Sequence, residues 1–297
     1  MIETSTYGET DRIHILVSCD ENYLPPLKVM LYSLFNNNPS ETFRIHFLYS
    51  AVSEMERERL ERFIAEVSGG TADLAAYDLN EEFSESPTTF YYTKEMYFRL
   101  LAFEALPETI ERVIYIDPDC LVLNPIRPLY EMDLEGKLFG AAPHMIPTVQ
   151  SFNKVRLSLS SEADIKYYYN SGVLLMDLAR QRQEIDKNDI LHFIETALPV
   201  SKILPDQDLL NVVFTEQILP LDERYYNFDS RHHLTYRVMD EEWTLDHMLD
   251  QTIILHFCGK KKPWRKHATG RFVSLYKYFK TKTEQADAEV EKSIAFI

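Results

Sequence analysis

Apolar and polar positions fall in blocks along this chain, and the blocks change period in a regular order. Ile13 to Ser18 is a short apolar run that ends in Cys19-Asp20-Glu21-Asn22-Tyr23, which predicts a buried strand leading into a polar loop. Pro25-Pro26 then opens a helical spacing with Leu27, Met30, Leu31 and Leu34 on one face, stopped by Asn36-Asn37-Asn38-Pro39. Phe43 to Tyr49 is a second strand. Ser53 and Glu56 form a capping box for a helix whose inward face is Leu60, Phe63, Ile64 and Val67, closed by Gly69-Gly70. A weaker strand follows around Leu74 to Tyr77. Strands and helices alternating in this way predict an α/β fold with a largely parallel sheet.

The second half continues the alternation less cleanly. A helix is expected from about Lys94 to Glu104, before a strand over Val113–Ile116, and another strand near Leu138–Ala142. The stretch from there to about Asp164 looks irregular, and 145–169, rich in Ser, Lys and Tyr, is the segment expected to be mobile. The apolar run Gly172–Met176, helices near Asp189–Ala197 and Asp206–Phe214, and a strand at Ile253–Phe257 complete the reading. The polar C-terminus predicts an exposed helix or frayed tail. No repeat or clear linker breaks the chain.

Composition narrows the class. The chain has 297 residues, 45% of them hydrophobic and 26% charged, which suits a soluble globular protein with a large core. A net charge of −16 disfavours nucleic acid and anionic membrane surfaces, so a polyanionic ligand must be met at a local cationic spot. The three cysteines are widely spaced, form no disulfide framework and fit a cytoplasmic location. No signal peptide pattern and no apolar stretch of about 18 residues is present, so neither export nor a membrane span is expected.

The candidate chemistry lies at the ends of the apolar runs. Strand Val113–Ile116 ends in Asp117-Pro118-Asp119, which puts two carboxylates at the carboxyl edge of a sheet, where open α/β folds place their ligands. Two hard oxygen donors suit Mg²⁺ or Mn²⁺ shared with phosphates, and Asp-Pro-Asp equally makes a good turn. Asp20, Asn22 and Tyr23 suit a base and a ribose, or an Asx turn capping the next helix. Tyr169-Asn170-Ser171-Gly172 suits a hydroxyl-rich ligand, or a turn into a strand. Asp206 and Asp208 flank Gln207 at a helix start, where an aspartate also caps. His256-Phe257-Cys258-Gly259-Lys260-Lys261-Lys262-Pro263-Trp264 combines a potential metal ligand with lysines in an acidic protein. Together these segments suit a reaction in which a nucleoside diphosphate leaves: Asp117, Asp119 and His256 on one metal, Lys262 on the phosphates, Asp20 and Asn22 on the nucleoside.

In these motifs, taken in order from Ile13 to about Trp264 and including Tyr97-Phe98-Arg99-Leu100, the chain resembles the family 8 retaining glycosyltransferases. That group includes bacterial lipopolysaccharide glucosyl- and galactosyltransferases and, more distantly, glycogenin. The resemblance implies a GT-A fold, a Rossmann-like, mostly parallel mixed sheet flanked by helices in one domain over 1–270, with 271–297 a C-terminal helix and polar tail. It implies Asp117, Asp119 and His256 as Mn²⁺ (or Mg²⁺) ligands. Ser18, Asp20, Asn22 and Tyr23 would hold uridine, Arg99 would contact the donor, and Gly259 and Lys262 would clamp the diphosphate. Asn170, Asp206 and Gln207 would surround the donor sugar, with Gln207 beside the anomeric carbon. The implied reaction moves glucose or galactose from a UDP-sugar to a carbohydrate or glycoconjugate acceptor.

Two positions depart from the family pattern. Pro118 replaces the usual aliphatic residue, and His144 stands where relatives that bind lactose-like acceptors carry an aspartate, so the acceptor does not carry over. The basic, aromatic membrane-binding tail of the lipopolysaccharide enzymes is also absent. Two alternatives remain at this level. A haloacid-dehalogenase-like phosphatase also ends a strand in Asp-x-Asp, but wants Thr or Val where Leu121 stands. A sugar-nucleotide-binding protein without turnover would keep the same pocket.

Overall fold

Strand β1 (Ile13–Ser18) is buried on both faces, as its unbroken apolar run requires, and the fold is built outward from it. The computed structural model describes residues 11–79, 98–158, 165–188, 190 and 205–295. On one side β1 pairs in parallel with β2 (Phe43–Tyr49), which pairs in parallel with β3 (Ala72–Asp78). On the other side it pairs in parallel with β4 (Arg112–Ile116). Beyond β4 lie β7 (Tyr169–Asp177), antiparallel to it, then β6 (Phe139–Pro143) and β8 (Ile218–Pro220). The seven-stranded order is β3-β2-β1-β4-β7-β6-β8, a mixed sheet with a parallel core. A second sheet of β5 (Cys120–Val122), β10 (Ile254–His256) and β9 (Phe228–Asp229) stands beside it.

The helices follow the predicted faces. Leu24–Asn37 carries proline in its first turn and buries Leu27, Met30, Leu31 and Leu34. Glu54–Val67 starts at Ser53, whose hydroxyl accepts from the Glu56 amide at 3.4 Å, and it buries Leu60, Phe63 and Ile64. Gly69 and Gly70 close this helix at φ +62° and +81°, a left-handed turn that favours glycine. The two sheet faces carry separate apolar cores, and a third core of Phe228, Tyr236, Trp243, Phe272, Tyr276 and Phe279 underlies the small sheet.

Four expectations need revision or fall outside the described residues. The stretch 145–169, expected to be irregular and mobile, contains a helix over Pro147–Ser158. The helix expected from Lys94 lies partly outside the described residues; what is seen is a 3₁₀ turn at Phe98–Leu101 followed by a short helix, Ala102–Ala105. The Asp189–Ala197 helix lies outside them, apart from the buried Ile190. The C-terminal helix, Arg271–Ala295, is neither frayed nor fully exposed. It buries Phe272, Tyr276, Phe279 and Val290, and Asp287 pairs with Lys28 at 2.6 Å. Among the described residues, no helix is long and apolar enough to cross a membrane.

Candidate active site

The chain reverses its side-to-side progress at β1: β2 lies on one flank and β4 on the other, which opens a crevice at the carboxyl ends of both strands. Ser18 and Asp20 line one side of that switch point, Asp117 and Asp119 the other. Because β7 runs antiparallel to β4, its first residues, Asn170 to Gly172, reach the same edge. The Asp117 amide donates to the Gly172 carbonyl at 2.8 Å. Pro118 then sits inside a tight turn closed by the Cys120 amide on the Asp117 carbonyl at 3.2 Å. That turn sends the chain into β5. Cys120 is the antiparallel partner of His256, so the histidine arrives beside the aspartates.

Asp117 is held on one oxygen. Its Oδ1 accepts from the Tyr115 hydroxyl at 2.5 Å and from Arg99 Nη1 at 3.0 Å. The same arginine nitrogen donates to the Ser171 carbonyl at 2.9 Å, and its guanidinium lies 4.4 Å from the Tyr115 ring centre. Oδ2 is left facing His256 Nε2 at 3.9 Å, while Asp119 Oδ1 lies 3.3 Å from that nitrogen. His256 Nδ1 donates to Asn227 Oδ1 at 2.8 Å. Asn227 in turn donates to Asn170 Oδ1 at 2.9 Å, and Asn170 Oδ1 also receives the Gly172 amide at 2.8 Å. With Nδ1 committed as donor to Asn227, Nε2 is the nitrogen turned toward both carboxylates, and it is the one that would give up its proton to a metal ion, an arrangement typical of metal-ligating histidines.

Charge in the pocket is tightly coupled. Burial alone would push the His256 imidazole down; the Asp119 carboxylate beside it outweighs burial and holds it above the usual histidine range. Burial likewise opposes ionisation of Asp119, yet His256 and Lys262 hold its carboxyl below the ordinary carboxylate range. Lys262 bonds the Asp119 carboxylate and donates to the Phe257 carbonyl at 3.1 Å. Its burial is offset mainly by Asp119, which raises it. Asp119, Cys120 and His256 each bring a ligand atom within 4.8 Å of the other two. Burial pushes the Cys120 thiol well up, so it stays protonated and soft, a poor partner for a hard cation. The oxygen-rich set of Asp117, Asp119 and His256 fits Mn²⁺ or Mg²⁺ better.

Gly172 shows how closely this pocket is built. A Cβ there would lie 2.3 Å from His256 Cε1 and 2.6 Å from Asp117 Oδ2. The loop after β1 is organised by Asp20, which accepts from the Tyr23 amide at 3.1 Å and from Asn22 at 3.2 Å, so the capping reading of this segment holds. Tyr23 meets Trp264 edge-on at 5.8 Å, which brings the loop against the lysine segment. The Ser18 hydroxyl is buried with no hydrogen-bond partner among the described residues. Gly259 takes φ +81°, with Arg231 packed where a Cβ would stand.

The helix Pro205–Val213 is stapled to the start of β7 by Asn211. Its amide oxygen receives the Tyr169 amide at 2.6 Å, and its nitrogen donates to the carbonyls of Tyr169 and Gln207, each at 2.8 Å. Gln207, one turn before Asn211, is buried with its Nε2 3.3 Å from His144 Nε2. Asp206 starts the same helix, and its side chain falls outside the described residues. Asp208, the other carboxylate flanking Gln207, accepts from the Tyr168 hydroxyl at 2.9 Å. Sequence reasoning misses Tyr115, Asn227 and Glu223: the last two are buried polar side chains whose partners are distant in the chain, and Tyr115 reads as one more apolar position of β4 although its hydroxyl bonds Asp117 two residues on.

Comparison with known proteins agrees with this arrangement. The sequence pattern of the family described as "Glycosyl transferase family 8" matches residues 14–268. The chain is 26% identical to General stress protein A of Bacillus subtilis, over 92% of this chain and 95% of that protein. It is also 26% identical to lipopolysaccharide 1,2-glucosyltransferase of Escherichia coli K12, over 89% of this chain and 76% of that one. Among solved structures it resembles the galactosyltransferase LgtC, crystallised with donor and acceptor sugar analogues. The two are 25% identical with a TM-score of 0.72, over 91% of this chain and 96% of that one. The GT-A architecture expected from the sequence is the one observed, and the phosphatase alternative falls away. On its fold, its switch-point carboxylates and this match, the chain belongs to glycosyl transferase family 8.

Proposed function

We propose that this glycosyltransferase moves a hexose, glucose or galactose, from a UDP-sugar to a carbohydrate or glycoconjugate acceptor, with a divalent cation held by Asp117, Asp119 and His256. The observation that carries the reading is the convergence of two carboxylates and a tautomer-fixed histidine on the switch point, beside Lys262. The names of relatives support the sugar: one is a lipopolysaccharide glucosyltransferase and another a galactosyltransferase. The three cysteines are free, which supports a cytoplasmic site of action.

When bound, Mn²⁺ or Mg²⁺ would neutralise the charge that builds on the departing diphosphate. Lys262, paired with Asp119 here, would turn to the phosphates, and the Gly259 backbone in its left-handed turn would lie beside them. Ser18, Asp20, Asn22 and Tyr23 would hold the uridine, the orphaned Ser18 hydroxyl giving one unspent polar group. Arg99 and Tyr115 keep Asp117 in place, so Arg99 serves the donor through that carboxylate. Asn170, Asp206 and Gln207 would line the sugar, with the Gln207 carbonyl stabilising positive charge at the anomeric carbon.

The test is donor turnover, which needs no knowledge of the acceptor. With Mn²⁺, the protein should release UDP from UDP-glucose or UDP-galactose. Gln207→Ala should slow release about a hundredfold while leaving UDP affinity nearly unchanged, the pattern of an interaction made in the transition state. A parent protein that binds UDP and releases none from either sugar is a binding protein, and the proposal fails.

A further inference from the structure

Gln207 is not free to turn its amide. Its Nε2 lies 3.3 Å from His144 Nε2, and the other ring nitrogen of His144, Nδ1, lies 3.4 Å from Glu223 Oε1. Glu223 is 2% exposed. Its second oxygen accepts from the Met145 amide at 2.9 Å and from the hydroxyl of the buried Tyr236. The His144 ring also lies parallel to Tyr168, centres 6.0 Å apart, which fixes its plane. Four separate segments thus converge on one amide: the end of β6, the short helix that begins at Glu223, the helix at 236 and the helix that carries Gln207.

Elementary hydrogen-bond chemistry gives this line a direction. An ionised carboxylate accepts only, so Glu223 draws the ring proton of a neutral His144 onto Nδ1. Nε2 is then an acceptor, and the only end of Gln207 able to meet it is the NH₂. The carbonyl must point the other way. Apolar packing alone would not need a carboxylate buried behind the ring, because a buried charge is costly unless it is satisfied.

We propose that His144 is a positioning residue: backed by Glu223 and Tyr236, it fixes the Gln207 amide so that the carbonyl oxygen faces the donor sugar. This rests on the proposed function, and it gives His144 a task on the donor side, at a position that sequence reasoning associates with the acceptor.

Two substitutions divide the ring into its two nitrogens. His144→Asn keeps a donor where Nδ1 stands, so Glu223 stays satisfied, but it is too short to reach Gln207. His144→Gln places a carbonyl where Nε2 stands. With Mn²⁺ and whichever UDP-hexose the parent hydrolyses, His144→Asn should lower turnover about tenfold, the loss of one buried hydrogen bond, with UDP affinity within about twofold of the parent. His144→Gln should restore most of it. In a Gln207→Ala background His144→Asn should add no further loss, since both remove the same oriented carbonyl. Thermal midpoints of both variants confirm that they are folded. Parent-like turnover in His144→Asn, a His144→Gln variant no better than it, or full additivity with Gln207→Ala would each overturn the proposal. UDP release by the parent separates these results from failure of the transferase reading itself.

Discussion

At Gly172 the design of the site comes down to a single missing carbon. The sequence shows an amide and a glycine before an apolar run, which a turn into a strand explains as well as a ligand does. The structure shows what the glycine makes room for. A Cβ would overlap His256 Cε1 at 2.3 Å and Asp117 Oδ2 at 2.6 Å, and neither neighbour can step back. His256 is tied to Asn227, and Asp117 to Tyr115 and Arg99. Gly172→Ala should therefore displace one of the two proposed ligands, weakening Mn²⁺-dependent UDP binding at least about tenfold and costing about 1–3 kcal/mol of stability. Calorimetry with UDP and Mn²⁺ beside thermal unfolding checks both; an alanine variant that binds like the parent would show that the pocket has slack. Asp117, Asp119 and His256 are legible because each ends an apolar run. Asn227 and Glu223 are not, since nothing local distinguishes a buried, tertiary-bonded polar residue from a surface one, and Tyr115 is hidden inside an apolar strand.

Between elements, the parallel strands β1, β2 and β3 carry a buried polar line of their own. His14 Nδ1 lies 2.9 Å from His46 Nε2, and His46 Nδ1 lies 3.1 Å from the Tyr77 hydroxyl. Burial, with help from His14 and Arg44, pushes the His46 imidazole down to about 3. The unfolded chain takes up this proton near pH 6.5, whereas the folded one refuses it until about pH 3. Stability from this site is thus complete above about pH 6.5 and is lost as pH falls toward 3. Thermal midpoints measured from pH 7.5 to 4 should fall with acid, and His46→Gln, which keeps hydrogen-bonding atoms without titrating, should flatten the fall. Equal slopes in the two proteins would contradict the assignment. At this scale the sequence reads well where period and length agree. Strands β1, β2, β4 and β7 and the first two helices follow directly. Strands β5, β8 and β9 are two or three residues long and exist only through distant partners. The helix at 147–158 is hidden because its apolar face is weak, and the C-terminal helix looks solvated until its aromatic side is docked.

For the whole molecule, the question is how a chain of net charge −16 would receive the doubly charged donor proposed for it. Its answer is local. Lys262 and Arg99 both close onto the Asp-x-Asp turn, and the folded chain puts that turn, the β1 loop and the end of β10 at one edge. The Lys262 ammonium bonds the Asp119 carboxylate. On the proposed function, a divalent ion on the aspartates would free it for phosphate, and metal and nucleotide binding would then reinforce each other. The most direct measurement is UDP calorimetry with and without Mn²⁺, on the parent and on Asp119→Ala. The account predicts that Mn²⁺ strengthens UDP binding to the parent and that Asp119→Ala abolishes this gain. Equal UDP affinity of the parent with and without Mn²⁺, or an undiminished gain in Asp119→Ala, would contradict it.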